Sequence, residues 1–339
     1  MQFRPLRDGA RSSLFCSIVV VVLAAAACSS PTAATPQPPP PPPPEAPSLT
    51  CGDDLSRATI NADGMSVSYT APDARNGQSP VNVSCSPESG STFPLGSTTV
   101  TCTATDGLQR TASCTFSVNV SKLATLSRTR FLAFGDSITA GEVTAPIGAT
   151  ATGQSITKQV VIPSASYPAL LERTLKGRYS AQADAIVVFN YGLSGERTAT
   201  ARNRFFSAMS ATRPDAVILM EGYNDIPGGA DGAASTAANE IRIMAAEAKA
   251  RGARVFIATP APGLPDRQRS IGEFFLIDYA NRMRAVAAQE GAVLVDLYAQ
   301  MLPDAQRYIG VDGLHPNEAG YAKIADLFFQ AIQANLEVR

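Results

Sequence analysis

Tryptophan is absent from this 339-residue chain, and histidine occurs once. Without tryptophan, the strongest component of an aromatic platform for stacking sugar rings is missing. With one imidazole, at His315, a base working near neutral pH has no second histidine to call on. Charge is scarce as well, at 17% of residues with a formal net of -1. Neither a basic run nor an acidic tail occurs, so no global field draws the chain to nucleic acid or to an anionic membrane surface. Metal chemistry is not expected, because His, Cys, Asp and Glu do not cluster at ligand spacing. Gly228-Gly229 lacks the Lys-Ser/Thr that completes a phosphate-binding loop. No cofactor is expected, and function has to come from a local site.

What is present begins with a targeting segment, 1–28. Arg4, Arg7 and Arg11 form a basic start, and Leu14 to Ala27 is a mostly apolar run. That run falls short of the ~20 apolar residues of an ordinary membrane-spanning helix and fits an export signal. Ala25-Ala26-Ala27-Cys28 resembles the bacterial lipobox, with Ala25 where leucine is usual. The resemblance implies lipidation of Cys28; cleavage after Ala27, leaving a free thiol, is the alternative. Ser29 in place of aspartate points to the outer membrane or the cell surface. Residues 29–47 read as a linker. Its unbroken run Pro38 to Pro44 predicts a polyproline II spacer of about 3.1 Å per residue.

Residues 48–121 change character. Ser66–Thr70, Val81–Cys85, Thr98–Ala104 and Cys114–Val120 alternate polar and apolar residues between Gly, Pro, Asn and Asp clusters. That pattern predicts a small all-β antiparallel sandwich. Cys51, Cys85, Cys102 and Cys114 lie here, and no cysteine follows. In an exported β domain they read as two disulfides, with three pairings open. A zinc site would need a close C-x-x-C pair or a nearby histidine. Cys85-Ser86-Pro87, Ser89–Gly96, Val100–Asp106 and Cys114-Thr115-Phe116 resemble the hyalin-repeat (HYR) module. The resemblance implies an immunoglobulin-like fold and a place in extracellular adhesion, as a binder of some ligand or as a passive spacer. By analogy with that sandwich, Cys85 pairs with Cys102 and Cys51 with Cys114.

Residues 122–339 alternate strand and helix patterns. Apolar runs at Arg130–Phe134, Ala185–Asn190, Ala216–Met220, Val255–Thr259 and Ala292–Asp296 predict buried strands. Helical spacing marks Ala238–Arg251, Ile271–Glu290 and Glu318–Leu336. Such alternation predicts an α/β fold, a parallel sheet with helices on both faces and a site at the strand C-termini. The loops there carry Gly135-Asp136-Ser137, Gly192-Leu193-Ser194-Gly195 and Gly222-Tyr223-Asn224-Asp225, and Asp312-Gly313-Leu314-His315 precedes the last helix. A serine hydroxyl needs a base, and His315 is the one imidazole. Asp312, three residues earlier, is near enough to hold its tautomer. The Ser137 N–H, the Gly195 N–H and the Asn224 amide are candidate oxyanion donors.

Those blocks, in that order, resemble the GDSL/SGNH hydrolase superfamily over about residues 127–339, with Ile138 in place of the leucine of the name motif. The resemblance implies a three-layer flavodoxin-like sheet and a serine esterase. It assigns Ser137 as nucleophile, His315 as base then acid, Asp312 as orienter, and Ser137, Gly195 and Asn224 as oxyanion hole. Asp136, Asp225 and Asn317 read as braces for the turns, and Arg197 as a solvated surface residue, with contact to an anionic or polar substrate group the alternative. Glu142–Ser166 reads as a long loop that, with Pro260–Ser270, shapes the pocket. The expected substrate is an acetylated carbohydrate or a short-chain acyl ester, met outside the cytoplasm. O-acyl transfer to a sugar alcohol, and an adhesion protein with a degenerate hydrolase domain, are the competing readings.

Overall fold

A computed structural model of the chain describes residues 37–153, 155–226 and 232–338. The export segment with Cys28, the start of the linker, and Gly228-Gly229 lie outside them. The chain divides into two units, Met1–Glu45 and Ala46–Arg339. In the first, the proline run is exposed and takes no helix or strand. The second holds two separate hydrophobic cores. Among the described residues, no helix is long and apolar enough to cross a membrane.

The smaller core belongs to the β region. Its four-stranded sheet runs Leu55–Thr59, Thr111–Lys122, Gly96–Thr105, Asn82–Ser86. Alternation turns Phe116, Val118 and Val120 inward, where they meet Val67, Phe93 and Val100. The pairings are antiparallel except that Leu55–Thr59 joins parallel to Val118–Lys122, a departure from the all-antiparallel expectation. Ser66–Thr70 is not a strand along its length; only Met65–Ser66 pairs, with Thr92–Phe93. Beyond it the Ser89 hydroxyl satisfies both the N–H and the C=O of Tyr69, so no ladder is needed. Disulfides join Cys51 to Cys114 and Cys85 to Cys102. At the turn between the two long strands, Asp106 accepts from the N–H groups of Gln78, Leu108 and Arg110 and from the Arg110 guanidinium.

The larger core surrounds a five-stranded sheet. Its strands are β1 (Arg130–Gly135), β2 (Val187–Gly192), β3 (Ala216–Met220), β4 (Arg254–Ala258) and β5 (Val293–Val295), in the order β2-β1-β3-β4-β5, all parallel. β1 and β3 are buried nearly throughout, which is why they read as unbroken apolar runs. The longer helices are α1 (Tyr167–Arg178), α2 (Thr198–Thr212), α3 (Ala233–Ala250), α4 (Glu273–Glu290) and α5 (Glu318–Leu336). α1 packs with α5, while α3 packs with both α2 and α4. The strand order reverses at β1, so the crevice outside the C-terminal ends of β1, β2 and β3 is where a ligand is expected.

Two expectations need correction. Glu142–Ser166 is not a loop: Glu142–Ala149 and Ser155–Val161 pair as an antiparallel hairpin. Its Gly, Pro and Ala residues mask the alternation, and a bulge at Pro146/Gly148 shifts the register. Helix α3 starts at Ala233 rather than Ala238, because Ala-Ala-Ser-Thr-Ala carries no apolar period. At the far end of the domain, Glu337–Val338 pairs with Thr125–Leu126 just before β1.

Candidate active site

Strand β1 delivers the chain into a tight turn. At Gly135 a Cβ would lie 2.0 Å from the Met220 carbonyl oxygen, so the ends of β1 and β3 approach closely only because the residue is glycine. Asp136 then caps the one-turn helix Ser137–Ala140, accepting from Ile138 N at 3.1 Å, and also accepts from Tyr223 N at 3.3 Å. It is fully buried. Burial, with a smaller push from the charge of Asp225, raises its pKa to about 7 against the pull of those two N–H donors and of His315. Gly141 closes the turn at φ 93°.

His315 reaches the same point from the loop before α5. Its Nε2 lies 2.9 Å from Ser137 Oγ, and its Nδ1 lies 2.6 Å from Asp312 Oδ2. The other Asp312 oxygen accepts from the N–H groups of Leu314 and His315, each at 3.1 Å. Burial opposes the Asp312 charge, but the hydrogen bond and charge of His315 and those two N–H groups outweigh it and hold the pKa below the ordinary value. An ionised Asp312 only accepts, so the proton between them belongs to Nδ1. That leaves the Nε2 lone pair to accept the Ser137 O–H. Asn317 caps α5 by accepting from Gly320 N at 3.0 Å and ties back to Arg307 O.

The oxyanion candidates come from three different strand ends. Ser137 N–H sits in the first turn of its helix, where no intrahelical acceptor exists. Gly195 is exposed, at φ 78° within a turn closed by Glu196 N–H donating to Leu193 O. One amide hydrogen of Asn224 goes to Glu196 O at 2.8 Å, which aims the side chain and leaves the second hydrogen. Asp225 accepts from the N–H and the hydroxyl of Thr198. Arg197 is exposed.

Two residues not singled out from the sequence join the site. Arg204, on α2, pairs with Glu196, donates to Tyr191 O at 2.7 Å and Gly135 O at 3.2 Å, and lies 4.0 Å over the Phe134 ring. It therefore stitches the ends of β1 and β2 together. Helix α2 was not read from the sequence, so its arginine carried no signal. Glu142, at the root of the hairpin, places Oε1 3.4 Å from His315 Nε2. A cleft of about 790 Å³ opens between residues 262–276 and 298–307, and neither Ser137 nor His315 lines it. Among the described residues, no group of three or more His, Cys, Asp or Glu is placed to hold a metal ion.

Residues 133–323, more than half of the chain, match the GDSL-like lipase/acylhydrolase family, and residues 44–120 match the HYR domain. An acetylxylan esterase of Xylanibacter ruminicola is 31% identical over 88 residues, a stretch that covers 26% of this chain and 18% of that protein. The chain thus spans about a fifth of the length of that relative. The structure is similar to a lipase/acylhydrolase from Enterococcus faecalis, at 23% identity and a TM-score of 0.50, covering 61% of this chain and 97% of the other. This likeness shows the fold. An acetylxylan esterase from Geobacillus stearothermophilus aligns at 22% identity and a TM-score of 0.46, over 61% of this chain and 94% of that one.

Proposed function

The chain belongs to the GDSL-like lipase/acylhydrolase family, and from that premise we propose that it is an exported serine esterase that cleaves carboxylic esters through an acyl-enzyme. The observation that carries the reading is the continuous line Asp312–His315–Ser137, at 2.6 and 2.9 Å. Ser137 Oγ attacks the ester carbonyl while its proton passes to His315 Nε2. The Nδ1–H bond to Asp312 holds the ring in the tautomer that makes this transfer open to Nε2. The Ser137 and Gly195 N–H groups and the Asn224 amide receive the charge that develops on the carbonyl oxygen. The imidazolium then returns its proton to the departing alcohol, and water repeats the sequence on the acyl-enzyme.

The acetylxylan esterase relative supports acetylated carbohydrate as the substrate class. The two disulfides support work in an oxidising compartment, and the lipobox-like Ala25–Cys28 supports a lipid-anchored position outside the cytoplasm. Ser137→Ala tests the mechanism. Hydrolysis of p-nitrophenyl acetate and labelling by a fluorophosphonate should both vanish, and full residual activity would overturn the assignment. Acetylated xylan and pectin, run beside a chain-length series of nitrophenyl esters, test the substrate class.

A further inference from the structure

Glu142 is the first residue after the nucleophile turn, and its backbone is pinned on both sides. Its C=O accepts from the hydroxyl of Tyr321, a fully buried residue of α5, at 2.6 Å. The preceding carbonyl, of Gly141, accepts from Ile162 N at 2.9 Å, and Glu142 itself stands opposite Val161 in the hairpin. Its side chain is only 8% exposed, and Oε1 lies 3.4 Å from His315 Nε2. The imidazole is therefore bracketed by carboxyl groups from two elements, Asp312 on Nδ1 and Glu142 on Nε2. Asp136, on the nucleophile turn, is a further titratable group that interacts with the ring.

The two brackets act at different moments. In the resting arrangement Nδ1 carries the proton, so Asp312 is bonded while the Nε2 lone pair accepts from Ser137, with the Glu142 carboxyl nearby. When the Ser137 Oγ–H proton reaches Nε2, the Oγ electron pair forms the new bond to the carbonyl carbon, and the carbonyl π pair moves onto its oxygen. Only then is the ring positive, with the Glu142 carboxyl oxygen 3.4 Å from Nε2. A carboxylate at that distance favours the charged ring over the neutral one. Its contribution is thus largest when the tetrahedral species and the imidazolium coexist.

We propose that Glu142 is a positioning residue that favours the imidazolium form of His315 and so supports the proton transfer on which the esterase reading rests. In the free enzyme the same carboxyl group stands 3.4 Å from Nε2, so the pH dependence of activity reads its removal. Glu142→Gln keeps the size and removes the charge. It should move the acid limb of kcat/KM to lower pH by about one unit, while the plateau falls.

Because the chain has one histidine, NMR titration reads the ring without ambiguity, provided that the protein carries no histidine tag. The His315 midpoint should fall in the same direction in Glu142→Gln. Glu142→Asp, which withdraws the carboxylate by one methylene, should give a smaller fall, and it serves if the Gln variant does not fold. A midpoint that is unchanged or raised in the folded variant overturns the proposal. Fluorophosphonate labelling of wild-type Ser137 separates the two claims: loss of labelling defeats the esterase reading, whereas a labelled enzyme with an unmoved midpoint defeats only the role of Glu142.

Discussion

A Cβ on Gly192 would lie 2.0 Å from the backbone nitrogen of Ala140. The end of β2 thus abuts the one-turn helix that presents Ser137, and the contact is backbone against backbone. Neither side has a flexible side chain that could yield. Gly192→Ala should cost about 3 kcal/mol or more, at the upper end of overpacking effects. Urea unfolding checks the cost. In the fraction that remains folded, slower fluorophosphonate labelling shows whether the serine has been displaced.

Asn224 divides its amide between an anchor and a free donor. On the proposed mechanism Asn224→Ala removes an oxyanion donor, so kcat should fall by roughly 10²- to 10³-fold with little change in KM. Asn224→Asp keeps the shape but replaces the donor with an acceptor, and should fall at least as far. A rise in KM with kcat unchanged would instead mark a contact made equally in the ground state.

The β region should lose stability in acid through Asp106. Burial opposes the charge there, but the Arg110 side chain and the N–H groups of Arg110, Gln78 and Leu108 outweigh it and lower the pKa from 3.8 to about 2. A depressed carboxylate stabilises the folded state above its unfolded pKa, and that support drains away as pH falls from about 4 towards 2. Calorimetry of the full chain should show the β-region transition dropping over this window. In Asp106→Asn the transition should lie lower at pH 7 and show a flatter acid slope.

Much of this architecture is legible in the residues. β1 and β3 are buried on both faces, so their sequences are nearly pure apolar runs between turn residues. The site blocks are legible because glycine and short polar residues gather where a strand stops, and because one histidine leaves one imidazole. Other features were hidden for physical reasons. The hairpin Glu142–Ala149 with Ser155–Val161 exposes Ile147, Ile156, Val160 and Val161 instead of burying one clean face, so no period marks it as sheet. Helix α1 opens with Tyr167-Pro168, and proline in a first turn reads equally well as loop. The approach of Glu142 to His315 depends on how that hairpin and α5 pack, across 173 positions of sequence that no local pattern connects.

The clasp of Thr125–Leu126 against Glu337–Val338 also has a mechanical meaning. It lies at the N-terminal end of β1, whereas Ser137 follows the other end, one strand length or about 20 Å away. Thr125–Leu126 and Glu337–Val338 are thus gathered at the pole of the sheet opposite the turn that carries Ser137. A pull transmitted along the polypeptide from residues before Thr125 loads that pole first.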